Sequence, residues 1–362
     1  MNRRKLLIGT AGTGVAAATF PMPAIAQDVR ELKMVTDWPR ALPGLGTGAE
    51  RLAQKITTMT DGRLKVTVYP AGSLVRPFQT FDAVSTGVAD MYHSVEYYFE
   101  KKTQALNFFA AVPYGMTATE FSGWIYYGGG QALWDEVSGR FGLKPLLCGT
   151  TGVQMGGWFN HEITTPEGYK GLRYRMPGLG AEVLRSMGAT VVNLPGGEIV
   201  GALKSGAIDA SEWVGPWLDL ALGLQNAANY YYYPGFHEPG TAFVLSVNKK
   251  LWESLTPLDR RIIENACASD FTHMLAEFTA ENAKALKVIR SDSRIKVLPF
   301  DEQLTKTFGK LSQQILADVA AKDALTRKVY ESYMAFLSDA MDLEDINDRA
   351  YLNSRRSALS ST

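Results

Sequence analysis

Cysteine is nearly missing from this 362-residue chain, with Cys148 and Cys267 the only two. Their spacing matches neither a metal knuckle nor a redox pair, and two such distant cysteines read as one disulfide or as two buried thiols. Histidine is almost as scarce. His93, His161, His237 and His273 show no paired spacing of the H-E-x-x-H kind, which argues against a zinc site, and each reads as a strand-end, loop or helix-surface residue. Net charge is absent too: 37 basic residues balance 37 acidic ones, so nothing speaks for nucleic acid or an anionic membrane surface as a partner. No segment reaches the roughly 20 apolar residues that a membrane span needs. No nucleophile-elbow serine or cysteine pattern is found either, which removes the commonest signature of an exported hydrolase.

What is present begins with an address. Arg3, Arg4 and Lys5 precede an apolar, Gly/Ala-rich stretch from Leu6 to Phe20, and Ala24-Ile25-Ala26 supplies a small-x-small cleavage pattern. Residues 1–26 therefore read as a signal peptide directing export to the periplasm, with Gln27 opening the mature protein. The paired arginines suggest the twin-arginine route, and an ordinary Sec signal reads almost the same. Removing three positive and no negative charges turns 37 against 37 into 34 basic against 37 acidic residues, so the mature chain is mildly acidic. Its length exceeds what one compact core usually holds, and 46% apolar with 11% aromatic residues supply material for two.

The chain reads as alternating strand and helix. Leu32 to Val35 is extended; Ala49, Leu52, Ala53 and Ile56 recur at helical spacing; Leu64, Val66 and Val68 alternate as a half-buried strand should. One phrase returns: Ala83-Val84-Ser85-Thr86-Gly87-Val88-Ala89-Asp90 is matched by Ala202-Leu203-Lys204-Ser205-Gly206-Ala207-Ile208-Asp209. Both spell helix, glycine stop, strand, aspartate, which predicts an α/β fold of two lobes built on a similar unit, with ligands beyond the carboxyl ends of the strands. Those ends fall at Ser94–Tyr98 and Ser211–Trp213. Helical periodicity from Leu258 to about Ile289 predicts a helix of about 45 Å, long enough to lie along both lobes. The expected division is 27–150 plus about 243–290 for the first lobe, 151–242 plus about 291–340 for the second, and 341–362 as a tail, frayed or exposed beyond Leu352. The tetrad Tyr230–Tyr233 reads as a strand beside a hinge. Gly44-Leu45-Gly46-Thr47-Gly48-Ala49 satisfies a loose dinucleotide fingerprint but follows Val35 too distantly and lacks the later ribose-binding carboxylate. Those glycines read instead as a loop that lets the backbone approach something closely.

Gly171-Leu172-Arg173-Tyr174-Arg175-Met176-Pro177, Met187-Gly188-Ala189-Thr190, Gly206-Ala207-Ile208-Asp209 and Glu212 together resemble the DctP-type solute-binding components of TRAP (tripartite ATP-independent periplasmic) transporters, over nearly the whole mature chain. Asn193-Leu194-Pro195-Gly196-Gly197-Glu198, Glu212-Trp213-Val214-Gly215-Pro216 and the run from Tyr231 to Gly240 are similar to the branch that binds 2-oxo or 2-hydroxy monocarboxylates with a metal cation. The resemblance implies a two-lobed periplasmic-binding-protein-like fold, a TRAP membrane permease as partner, and no chemistry on the ligand. It assigns Arg175 to the ligand carboxylate, whose two oxygens a guanidinium fork matches, and Arg173 to structure. Gln154, Glu212, the backbone carbonyl of Trp213 and Glu238 would surround a sodium or calcium ion, cations that favour such hard oxygen donors; Glu238 reads equally as a residue orienting a neighbour. Trp38, Tyr98, Trp213 and Phe236 would cover the ligand's apolar end; Tyr97 and Tyr98 cannot both point inward in an extended segment, and the resemblance, which places the aromatic after the strand, selects Tyr98. The lobes would hinge about crossing segments near 150 and 240. Rival readings are an exported enzyme using Glu212 or Glu238 as a base, and a periplasmic sensor using the same cleft. The C-terminal helices carry enough apolar residues to support a homodimer, or to cap the chain's own lobe.

Overall fold

A computed structural model describes residues 29–360; the expected signal peptide lies outside them. The strands in chain order are β1 (Arg30–Thr36), β2 (Leu64–Tyr69), β3 (Met91–Ser94), β4 (Leu143–Thr150), β5 (Gly157–Phe159), β6 (Arg173–Arg175), β7 (Thr190–Val192), β8 (Ala210–Ser211), β9 (Tyr230–Tyr233), β10 (Ala242–Asn248) and β11 (Lys296–Pro299). They form two sheets, β2-β1-β3-β10-β4 and β11-β9-β5-β8-β6-β7. In the first, β1 runs parallel to β2 and β3, while β10 is antiparallel to β3 and β4. In the second, β6 runs parallel to β7 and β8. The fold is α/β with two lobes, as expected.

The repeated phrase has a structural counterpart. Helix Thr80–Ser85 ends before Gly87 at φ +82°, and helix Gly196–Lys204 before Gly206 at φ +71°, backbone that glycine adopts without a Cβ clash. In each lobe the aspartate then clips the neighbouring parallel strand. Asp90 accepts the Lys33 N–H at 2.7 Å and donates its own N–H to the Lys33 carbonyl at 3.0 Å. Asp209 does the same to Arg173, at 3.0 and 2.7 Å. β1 and β6 thus hold equivalent positions, each one strand in from the edge of its sheet.

The two sheets are joined near 150 and 240, where the Thr151 N–H donates to the Thr241 carbonyl at 3.3 Å and the Gln154 N–H to the Glu238 carbonyl at 3.1 Å. A 35-residue helix, Pro257–Ser291, spans both lobes; at about 1.5 Å per residue it extends about 52 Å. Thr256 caps it by accepting the Asp259 N–H at 3.1 Å. Its Met274 lies where a Cβ on Gly149 of β4 would sit, and its Phe278 packs edge-on against Trp217 at 5.3 Å. Of the glycines expected to form a loop only Gly44 lies in one, while Gly46 and Gly48 open helix Gly46–Met59, and Gly44 and Gly48 face the long helix. A Cβ on Gly44 would meet Phe278 at 2.8 Å and one on Gly48 would meet Met274 at 2.8 Å, so the close approach is to the chain's own side chains.

The C-terminal part departs from expectation. β11 and the first half of helix Glu302–Ala320 join the second lobe through Leu304 and Phe308. Helix Ala324–Glu344 instead returns to the first lobe, burying Val329, Tyr333 and Leu337 among Phe108, Phe109, Trp124 and Trp134. Its apolar stripe announces that one face is buried, but the partner is set by shape, and the aromatic cluster of the first lobe provides it. The end beyond Leu352 is exposed but not frayed: Asp348–Leu359 is a helix with no buried residue. Cys148 and Cys267 are free, buried thiols, and burial pushes both well above the usual range. No helix among the described residues is long and apolar enough to cross a membrane.

Candidate ligand and cation site

The two arginines at the ends of β6 separate by depth. Arg173, at the strand's start, is exposed and grips Asp209 through Nε at 2.9 Å and Nη2 at 2.5 Å. Arg175, 1% exposed, reaches into the gap between the sheets. Its Nε donates to the Leu194 carbonyl at 3.0 Å, its Nη1 donates to the Glu212 carboxylate, and its guanidinium lies 5.3 Å from the Trp213 ring centre. Nη2 has no partner.

Glu212 follows β8 and is wholly buried. One carboxylate oxygen takes Arg175; the other, Oε2, has no hydrogen bond. Burial pushes this carboxyl up to about 7, with Arg175 pulling the other way. The turn carrying it is held from beneath by Asp219, which accepts the Val214 and Gly215 N–H groups at 3.2 and 3.1 Å, Trp158 Nε1 at 2.9 Å and the Tyr231 hydroxyl at 2.6 Å. Gly196 admits the Trp213 ring from the other side, since a Cβ there would meet it at 2.3 Å.

From the crossing segments come Gln154 and Glu238. The Gln154 amide donates to Glu238 at 2.8 Å, Thr241 at 2.9 Å and Thr151 at 3.2 Å. All its donor capacity is spent within the hinge, and its Oε1 is buried without a partner. Glu238 also accepts the Thr241 hydroxyl and, at 3.4 Å, that of Tyr97; burial first, then Glu212, pushes its carboxyl up to about 7. Its present bonds fit the reading that it orients Gln154.

Trp38, Tyr97, Tyr98, Gln154, Arg175, Trp213 and Phe243 line one narrow cavity between the lobes. Larger concavities lie on the surface, such as that along Asp301–Gln314, without converging buried polar groups. The Trp38 indole donates to His93 Nδ1 at 2.9 Å, which fixes its ring against Tyr98 and Phe243. Two expectations about aromatics need correction. Tyr97 and Tyr98 both line the cavity, because Glu96–Phe99 is a 3-10 turn and adjacent side chains there do not alternate as in a strand. Phe236 does not line it; its ring stacks on Phe308 at 4.1 Å in the core of the second lobe, and Phe243 of β10 stands in the cavity wall instead. The residue most clearly missed is His237. It is 2% exposed, with Nε2 3.5 Å from Glu212 Oε2 and neither ring nitrogen hydrogen-bonded; burial lowers its pKa to about 4. Its one trace in the sequence is its place beside Glu238; its packing against Gly180, where a Cβ would meet it at 2.6 Å, is set by the fold.

A site that leaves an amide oxygen, a carboxylate oxygen and a guanidinium nitrogen buried and unpaired is incomplete as it stands, since buried polar groups are ordinarily satisfied. An anion carrying a cation would complete it: the anion on Arg175, the cation on the oxygens.

The chain matches the family model described as bacterial extracellular solute-binding protein, family 7, over residues 38–323. It is 38% identical over 361 residues to the monocarboxylate 2-oxoacid-binding periplasmic protein of Nostoc sp., covering 98% of each chain. Among solved structures it resembles a TRAP transporter solute-binding protein of Bordetella bronchiseptica with copurified calcium and picolinate, at 32% identity and TM-score 0.90, covering 92% of this chain and 99% of that one. It also resembles a TRAP periplasmic solute-binding protein of Pseudoalteromonas atlantica with bound sodium and pyruvate, at 36% identity and TM-score 0.87, covering 90% and 99%. Sequence match, two-lobed fold and interlobe site agree: this chain belongs to the DctP family of TRAP transporter solute-binding proteins.

Proposed function

We propose that the protein captures a 2-oxo or 2-hydroxy monocarboxylate of the pyruvate class together with a sodium or calcium ion, and presents it to a TRAP membrane permease in the periplasm. The observation that carries this reading is the convergence of unpaired, buried Gln154 Oε1, Arg175 Nη2 and Glu212 Oε2 around the interlobe gap. Arg175 would take the ligand carboxylate. Gln154 Oε1, Glu212 and the Trp213 carbonyl, with Glu238 behind or beside them, would hold the cation, which supplies a positive centre that a carboxylate oxygen and the adjacent keto or hydroxyl oxygen chelate in a five-membered ring. Plain fatty acids lack the second oxygen. Trp38, Tyr97, Tyr98, Trp213 and Phe243 exclude water and cover the apolar end. Closure about the segments near 150 and 240 would couple binding to the shape the permease reads. The exposed apolar residues Ile346 and Tyr351 support a homodimer through the C-terminal helices, and the Bordetella bronchiseptica relative was crystallised as a dimer.

Isothermal titration of the mature protein with pyruvate, in calcium, in sodium and after chelation in a buffer free of both, tests this reading. Binding in either cation and its loss on removal is the expected outcome. Unchanged binding without any cation removes the metal, and no binding in any condition removes the ligand class.

A further inference from the structure

We propose that Glu212, His237 and Glu238 form a binding site for a first-row divalent transition cation of the zinc class, which the cleft takes up without any organic acid. One ligand atom from each of the three residues lies within 4.8 Å of the others, a spread that a single ion can bridge after small side-chain adjustments. All three are buried, at 0, 2 and 2% exposure. His237 leaves both ring nitrogens unpaired and Glu212 leaves Oε2 unpaired, with Nε2 and Oε2 3.5 Å apart. Nε2 and Oε2 meet only in that long contact, and an ion accepting one lone pair from the imidazole and one from Oε2 would satisfy both, the other ring nitrogen keeping its proton.

The rest of the arrangement favours the same occupant. Arg175 binds the opposite oxygen of Glu212, so it fixes the carboxylate without blocking Oε2. Gln154 and Thr241 fix Glu238 from the hinge side. Two carboxylates and an imidazole are the donor set of zinc, cobalt and nickel sites, whereas sodium and calcium prefer oxygens alone. The proposal shares Glu212 and Glu238 with the alkali or alkaline-earth set above but depends on His237, which that set does not use. It therefore stands or falls separately from the pyruvate reading.

The test uses the full mature protein, stripped with a chelator and dialysed, titrated with zinc chloride alone by calorimetry and thermal shift, and with cobalt chloride alone by visible absorption. The parent is expected to bind one zinc ion at micromolar concentration or below, with a rise in melting temperature, and to give cobalt ligand-field bands. His237→Asn should lose zinc affinity by about tenfold or more, as disturbed metal shells do, and its cobalt bands should shift and weaken. A parent that takes up no zinc below millimolar, or a His237→Asn variant with unchanged affinity and an unchanged cobalt spectrum, overturns the proposal. If His237→Asn fails to fold by circular dichroism, Glu238→Gln is read by the same two measures against the same criteria. Calcium-dependent pyruvate binding by the parent, measured alongside, judges the other reading: zinc uptake without pyruvate binding refutes that one alone, and pyruvate binding without zinc uptake refutes this one alone.

Discussion

Strands β1 and β6 hold equivalent positions in the two lobes, each one in from a sheet edge, and the comparison between them separates folding from binding. Val35 of β1 is in register with Tyr92, and Arg175 of β6 with Ser211, each two residues beyond the backbone clip made by its lobe's aspartate. In the first lobe that position is an apolar core residue. The next charged group, Asp37, has its carboxylate fully used by the Phe78 N–H at 2.6 Å, Thr80 at 2.9 Å and Ser94 at 2.5 Å. In the second lobe the same position carries a buried arginine, and its partner Glu212, which follows β8, leaves Oε2 without a hydrogen bond. Asp37 in the first lobe closes the fold, as Asp219 does in the second, whereas Arg175 and Glu212 each keep one buried atom without a hydrogen bond.

The sharpest way to break this contrast is Arg175→Ala. It should weaken pyruvate binding by about 30-fold to several thousand-fold, roughly 2 to 5 kcal/mol, because a ligand carboxylate would be stranded in the closed cleft; calorimetry at saturating calcium reads it. Next in size, Glu212→Gln should lower the apparent affinity for the cation by roughly ten- to hundredfold. Pyruvate binding would then rise more steeply with calcium concentration, and identical calcium curves for parent and variant would remove Glu212 from the cation's surroundings.

A buried acid of the first lobe should behave differently. Glu96 is held by Trp134 Nε1 at 3.0 Å and the Tyr92 hydroxyl at 3.1 Å, and burial pushes its carboxyl up to about 7. The fold therefore prefers it protonated. Its contribution is complete below about 4.5 and is lost as pH rises through about 7, so the stability of the parent relative to Glu96→Gln should fall across that window, by roughly 3 kcal/mol at most. Urea melts at a series of pH values measure it, and pyruvate affinity should be untouched. The smallest expected effect sharpens the equivalence itself: Asp90→Ala and Asp209→Ala should each cost about 1 to 2 kcal/mol by losing a charge-assisted bond to a strand N–H. The exposed ion pair of Asp209 with Arg173 adds little. Markedly unequal losses would show that the two clips are not alike.

Much of this was legible in the chain. The repeated helix, glycine, strand and aspartate pattern located both clips, and hydrophobic spacing located the long helix, because periodicity and turn chemistry are local properties. Gln154, Arg175, Glu212 and Glu238 were singled out from strings of residues and lie together around the interlobe gap. Tyr97 was set aside on the assumption of a strand where the backbone turns. Phe236 was assigned to the ligand although its ring found a better partner in Phe308, 72 positions further on. His237 carried no spacing signal, since its neighbours in space, Glu212 and Gly180, come from other elements.

By itself the sequence determined the strands and helices of clear periodicity, the doubling of the α/β unit and the type of donor at each candidate position, all of which depend on residues within a turn or two of one another. Only the tertiary structure decided which helix covers which lobe, which aromatic rings reach the cavity, and that a histidine stands unpaired between two glutamates. Those outcomes depend on packing among side chains distant in the chain, where shape and burial choose among partners that local pattern leaves equal.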